Sequence, residues 1–177
     1  MDACLPTRNL KPMTEYIKKI RLAANIGLYG SLLLCIAVVA EHYLDKYVWL
    51  RTITMNDYTR HLFLIVGLVV GVGMVAFVLF SLRKGTPRLR QTDGVEEKLK
   101  GYQRLVSNIY YFSLFATAII GAIVVVTREN TLIMLLMLLF VSEVLSYPNM
   151  YKMKVDMGFT DDEMKELFGE QYIAGDK

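Results

Sequence analysis

Leu62-Phe63-Leu64-Ile65-Val66-Gly67-Leu68-Val69-Val70-Gly71-Val72-Gly73-Met74-Val75-Ala76-Phe77-Val78-Leu79-Phe80-Ser81-Leu82 runs for twenty-one residues without a charge. An α-helix rises about 1.5 Å per residue, so about 20 apolar residues cross a hydrocarbon core about 30 Å thick. Residues 22–40 and 105–127 are also uncharged, and residues 131–147 carry one acid, Glu143. The first three stretches are long enough to span and the fourth is just adequate. The chain is 54% hydrophobic, and the excess sits in these four runs. What remains is split into pieces too short to bury a core of their own. The expected fold is an all-α membrane protein, a single domain over residues 1–177. Its four transmembrane helices form two antiparallel hairpins, and short amphipathic helices lie outside the membrane.

Charge sets the expected orientation. In an alternating four-span topology, sixteen of the twenty Lys and Arg fall on one side. They lie before the first span, between the second and third, and in the tail over 148–177. Only Lys46, Arg51, Arg60 and Arg128 fall opposite. Basic residues in short loops mark the cytoplasmic side, so both termini are expected there, in a plasma or inner membrane. Tyr43, Tyr47, Trp49 and Tyr58 crowd the first outer loop, while Tyr16, Tyr102 and Tyr147 flank spans on the inner side. Such rings favour the interface. The stretch from Tyr47 to Thr54 is expected to lie on the outer surface as an anchor. The link Arg128-Glu129-Asn130 is short enough to force a tight turn between the last two spans.

The inner-side segments show helical patterning. Leu10, Met13, Ile17 and Ile20 recur at helical spacing among basic residues, a lead-in to the first span with Pro12 in its first turn. Arg83-Lys84-Gly85-Thr86-Pro87-Arg88-Leu89-Arg90 reads as a basic turn. Asp93 and Glu96 have capping-box spacing, and Val95, Leu99 and Tyr102 share the face that follows. Basic stretches of this kind draw anionic lipid headgroups by about 1 kcal/mol per charge. They lack the interleaved aromatics of a nucleic-acid binder, so no nucleic-acid partner is expected. In the tail, Thr160 caps a helix with Asp161, Asp162 and Glu163 in its first turn, Met164, Leu167 and Phe168 on its apolar face, and Gly169 as its stop. This acidic helix is expected to dock on the basic second loop, or alternatively to serve as a handle for a partner.

An internal echo joins the first and third spans. Arg21-Leu22-Ala23-Ala24-Asn25-Ile26 and Arg104-Leu105-Val106-Ser107-Asn108-Ile109 share the pattern R-L-x-x-N-I. A true duplication relates the two hairpins by a pseudo-two-fold axis along the membrane normal. Asparagine is costly toward lipid, so Asn25 and Asn108 are expected to face the bundle interior at matching depth.

Small residues form stripes that let helices approach closely: Gly67 and Gly71 in the second span, Gly27 and Ser31 in the first, Ser113, Thr117 and Gly121 in the third. Packing within the chain is the expected use, with a homo-oligomer as the alternative. Glu143 is the single ionisable residue well inside a span, and such acids suggest an ion or proton site. It lies about one turn from Tyr147-Pro148, so pairing with Arg83, Lys84 or Arg104 near the interface is the expected arrangement. His42 and His61 sit at outer ends of neighbouring spans without further ligand motifs, and neither metal nor cofactor is expected. Met134 and Met137 read as packing filler. Cys4 and Cys35 are placed too differently for a disulfide. Cys4 has no apolar segment before it, so no lipoprotein signal is expected.

No metalloprotease, nucleophile-elbow or phosphate-loop motif appears in the chain, so it is not expected to be an enzyme. The leading expectation is a non-catalytic membrane protein: an assembly, regulatory or effector subunit working through helix packing and its cytoplasmic tail. The runner-up is a small oligomeric transporter or channel subunit with Glu143 as its ion or proton site. The two readings divide on whether Glu143, Asn25 and Asn108 converge on one water-accessible cavity.

Overall fold

The computed structural model describes residues 10–43 and 56–169. They form six helices: α1 (Leu10–Tyr43), α2 (Asp57–Arg90), α3 (Val95–Thr127), α4 (Asn130–Leu145), α5 (Met150–Met157) and α6 (Asp161–Phe168). No strand occurs among the described residues. Three helices are long and apolar enough to cross a membrane, and a fourth crossing is available if α4 and α5 together count as one broken span. The outer-surface stretch from Tyr47 to Thr54, Cys4 and the end of the tail lie outside the described residues.

Side-chain contacts fix how the long helices run. Gly27 meets Tyr110, Gly30 meets Leu114 and Val38 meets Gly121, so α1 and α3 are parallel at an offset of 83 or 84 residues. Gly67 meets Leu132 and Gly71 meets Leu135, which makes α2 and α4 parallel too. Gly85 meets Leu105 while Gly101 meets Leu89, so α2 runs against α3. Ser31 meets Glu143 and His42 meets Asn130, so α4 runs against α1. Glycine serves close packing at the α1–α3, α2–α4 and α2–α3 contacts. A Cβ added at Gly27 would lie 2.6 Å from the Tyr110 Cβ.

The expected pair of hairpins is not the arrangement found. α3 is the hub, packed along α1 and α2 and more lightly on α4, while α1 and α2 barely touch. Half of the most apolar stretch of α3 is buried, against 22% for α2. The reason lies in the faces. α3 buries Val106, Ile109, Tyr110, Ser113, Ala116, Thr117, Ile120 and Val124, a wide stripe that offers surface to two neighbours. The pseudo-two-fold axis fails with the hairpins, because α4 packs on α3 whereas α2 does not pack on α1.

Two expected boundaries also shift. The basic turn over 83–90 is helical, and α2 runs through Pro87 to Arg90. Proline removes one helix hydrogen bond. Close packing of Gly85 on Leu105 and Leu89 on Gly101 holds the segment straight enough to continue, and Thr86 Oγ1 donates to the Leu82 carbonyl at 2.8 Å. The capping box at Asp93 does not form. Gly94, at φ 95°, is the N-cap of α3 and supplies no side-chain cap. At the other end, Thr160 and Glu163 cap α6 reciprocally. Arg128 ends α3 in the left-handed region at φ 58°, unusual for a residue with a side chain. Its guanidinium donates to the Glu41 and His42 carbonyls at 3.0 and 3.3 Å, which caps the end of α1 and offsets that cost.

α4 has 16 residues, about 24 Å, and so falls short of a full hydrocarbon core by itself. It stops before Tyr147-Pro148, and α5 leaves at 78°. Pro148 pushes the preceding residue toward extended backbone. Asn149 then caps α5 by accepting from the Lys152 N–H at 2.7 Å. The two short helices fold under the basic end of the bundle. Met153, Met157, Met164 and Leu167 are buried there with Met13, Ile17, Ile20 and Leu99. The acidic helix docks on its own chain, but on α1 and not on the basic second loop expected for it, while α5 packs against α2 and α3.

Candidate functional site

Helices α1, α3 and α4 meet at Glu143, which is 1% exposed. Ser31 of α1 donates to its Oε1 at 2.9 Å, and Ser113 of α3 donates to the same oxygen. Tyr110 of α3 donates to the backbone carbonyl of Glu143 at 2.9 Å. All three donors are buried. Helical geometry brings them together, since Tyr110 and Ser113 lie three residues apart on one face of α3. Gly27 leaves the room in which the Tyr110 ring crosses α1. Oε2 of Glu143 and Oγ1 of Thr117, one turn beyond Ser113, are buried without a hydrogen-bond partner among the described residues.

This is not the pairing expected from the sequence. Arg83, Lys84 and Arg104 do not reach Glu143. The contacts of α2 with α3 put Arg83 and Lys84 level with residues 106–107, about two turns below Ser113. The carboxyl is also deeper than its sequence position suggests. Ser31, its neighbour, is the midpoint of the apolar run 22–40, about 14 Å from either end. The nearness of Tyr147-Pro148 misleads because α4 is short and ends well above the basic ends of α1 and α3.

The two asparagines separate. Asn25 is half-buried and accepts the Tyr147 hydroxyl at 2.7 Å. Asn108 is exposed, contrary to its expected interior position, and has no hydrogen-bond partner among the described residues. It sits level with Leu82, where the apolar run of α2 gives way to Arg83. Headgroups can hydrogen-bond a side chain at that border. The echo therefore coincides with a shared depth, since Arg21 and Arg104 are 83 residues apart, but not with a shared face. Glu143, Asn25 and Asn108 do not converge on one cavity.

Among the clefts formed by the described residues, one of about 340 Å³ between α2 and α3 is lined almost wholly by apolar groups, Gly73 among its lining residues and the Phe77 and Phe112 rings meeting edge to face. Another, of about 600 Å³, lies between α1 and the α4–α5 bend and includes Asn25, Tyr29, Tyr147 and Lys152. Sequence reasoning singled out neither, because each needs the helix neighbours to be known.

At the end opposite the basic one, the described cations are paired. Arg60 meets Glu129 at 2.8 Å and Arg128 meets Glu41 at 3.5 Å. His42 contacts Asn130 at 2.8 Å and His61 is exposed, so the two histidines do not face one another. Met134 and Met137 are exposed and do not fill the core. Tyr102 is not an interfacial ring, for it is 1% exposed and donates to Asp156 of α5 at 3.0 Å. Burial pushes the Asp156 carboxyl above the usual range, with Tyr102, Lys152 and Arg90 pulling against that. The chain matches no protein-family model, no curated protein and no solved structure.

Proposed function

We propose that this chain is a non-catalytic, multi-pass integral membrane protein that acts as an assembly, regulatory or effector subunit. In this reading it is a four-helix bundle, with α1 to α3 each crossing a plasma or inner membrane and α4, extended by the bend that follows it, completing a fourth crossing. Both termini, the α2–α3 link and the α5–α6 pair are cytoplasmic. The observation that carries the reading is the use made of the intramembrane polar groups. Ser31, Ser113, Tyr110 and Glu143 end on one another and tie three helices together, and Asn25 ends on Tyr147. Polar groups spent on contacts between helices serve register and assembly. The α5–α6 pair supports it further. It is docked on the bundle and turns outward Tyr151, Val155 and the acids Asp161, Asp162 and Glu166, a surface for a soluble partner or a second copy.

A second reading, the oligomeric transporter or channel subunit with Glu143 as ion or proton site, is favoured by one observation. Glu143 Oε2 and Thr117 Oγ1 are buried without partners among the described residues, and such groups in apolar surroundings suggest exchange of a proton or ion. Reconstitution separates the two. Purified protein in liposomes with an enclosed pH dye should show no proton flux above empty vesicles. Native mass in mild detergent should give a defined copy number or a stoichiometric partner. A flux that disappears in Glu143→Gln at normal expression replaces the first reading with the second.

A further inference from the structure

We propose that the cleft between α1 and the α4–α5 bend is a binding site for the phosphate of a phospholipid headgroup. Depth is the first argument. Asn25 and Tyr147 meet three residues inside the apolar run of α1, and Arg21 lies one turn toward the basic end. On the membrane reading proposed above, on which this inference rests, that level is the border between hydrocarbon and headgroups.

Donor chemistry is the second argument. Among the described residues, Lys152 is the single charged one lining the cleft, and no carboxylate lines it. Its ammonium donates to the Leu145 carbonyl at 3.2 Å, which uses one of three N–H bonds and holds the charge at the cleft wall. Asn25, which lines the cleft, spends its amide oxygen on Tyr147 and keeps its NH₂ group as a donor. The bend supplies the space. The cleft, of about 600 Å³, lies at the point where α5 leaves the line of α4 at 78°.

Apolar surroundings select a lipid over a soluble phosphate. Tyr29 and Leu145, which line the cleft, are both exposed and give acyl chains a surface continuous with the headgroup position. Basic pockets between helices on the cytoplasmic side are a recurrent setting for anionic headgroups. This site is distinct from the basic residues of the N-terminal lead-in and the α2–α3 link.

The test uses full-length protein in mild detergent, with native mass measurement of bound phosphatidylglycerol. Lys152→Gln should lower the retained lipid about fivefold, and Lys152→Arg should restore it. Lys84→Gln, at a similar depth but stacked on Phe80 of α2, should leave it unchanged. Because Lys152 also caps α4, Tyr29→Ala provides a second variant on the exposed wall and should lower retention too. Unchanged retention in both Lys152→Gln and Tyr29→Ala overturns the proposal. So does an equal loss in Lys84→Gln, which marks a diffuse basic surface. Displacement of the lipid by excess inorganic phosphate overturns the lipid assignment and leaves a soluble phosphate as the ligand.

Discussion

Gly27 and Gly73 look alike in the sequence, yet the structure gives them opposite tolerances. A methyl group at Gly27 would collide with the stem of Tyr110, whose Cβ is fixed by the α3 backbone. A methyl group at Gly73 would meet nothing within 4 Å. Gly27→Ala should therefore cost about 1–3 kcal/mol through forced separation of α1 and α3, whereas Gly73→Ala should be neutral. Unfolding in mixed micelles would measure both, and equal effects would contradict the close approach. Glu143 invites a paired comparison. Glu143→Gln keeps an acceptor for Ser31 and Ser113 and should cost less than about 1 kcal/mol, while Glu143→Leu removes the acceptor and should cost about 1–3 kcal/mol. Loss of fold in Glu143→Gln would show that charge, not hydrogen bonding, holds the three helices. The acid was legible as the lone ionisable group in a span. Its partners were not, because hydroxyls are common in apolar helices and only the neighbour relation of α1, α3 and α4 selects Ser31 and Ser113.

Among the elements, α1 to α3 were readable from span length and α6 from its cap, because both signals are local. The continuation of α2 through Pro87 was not, since it depends on Gly85 and Leu89 packing into α3. The bend after Leu145 was only half visible. Tyr147-Pro148 marks an end to α4, but nothing local says that α5 turns back under the bundle. Thr160→Ala should remove the cap of α6 and cost about 1 kcal/mol, locally. Hydrogen exchange should then quicken over residues 164–168 and stay unchanged in the spans. The contact of α5 with α3 should depend on pH. Asp156 has a folded carboxyl pKa raised above its unfolded value by burial. Its contribution to docking is therefore full below the unfolded pKa and is lost as pH rises through the folded one. Exchange in α5 should be slower at acid pH after correction for the intrinsic rate, and Asp156→Asn should flatten that dependence. A wild-type dependence that persists in Asp156→Asn would assign it to other groups.

At the scale of the molecule, alternation of direction and asymmetry of charge act together. The helix contacts put the start of α1, the α2–α3 link and the α5–α6 pair at one end, where the basic residues gather. The described cations at the other end are neutralised by Glu41 and Glu129. If the basic end is cytoplasmic, single cysteines at Asp57 and Glu129, in a Cys4→Ser, Cys35→Ser background, should react with impermeant thiol reagents in intact cells. Cysteines at Gln91 and Lys165 should not, and reversed labelling would invert the orientation. The order of helices is a separate matter, and adjacency in sequence pointed the wrong way. Consecutive spans are neighbours by default in short-looped bundles. Here the wide apolar stripe of α3 takes the position between α1 and α2, and the parallel pair α1–α3 becomes the main interface. Paired cysteines discriminate the two arrangements directly. Cysteines replacing Gly30 and Leu114 face each other across that interface and should join rapidly through a short thiol crosslinker. Cysteines replacing Gly30 and Ala76, which lie at one depth, test the α1–α2 contact that a sequential hairpin requires. Ala76 is exposed and α1 and α2 barely touch, so this pair should stay unlinked. Efficient linkage of the second pair within a monomer, with none of the first, would restore the sequential hairpin and remove α3 from the centre.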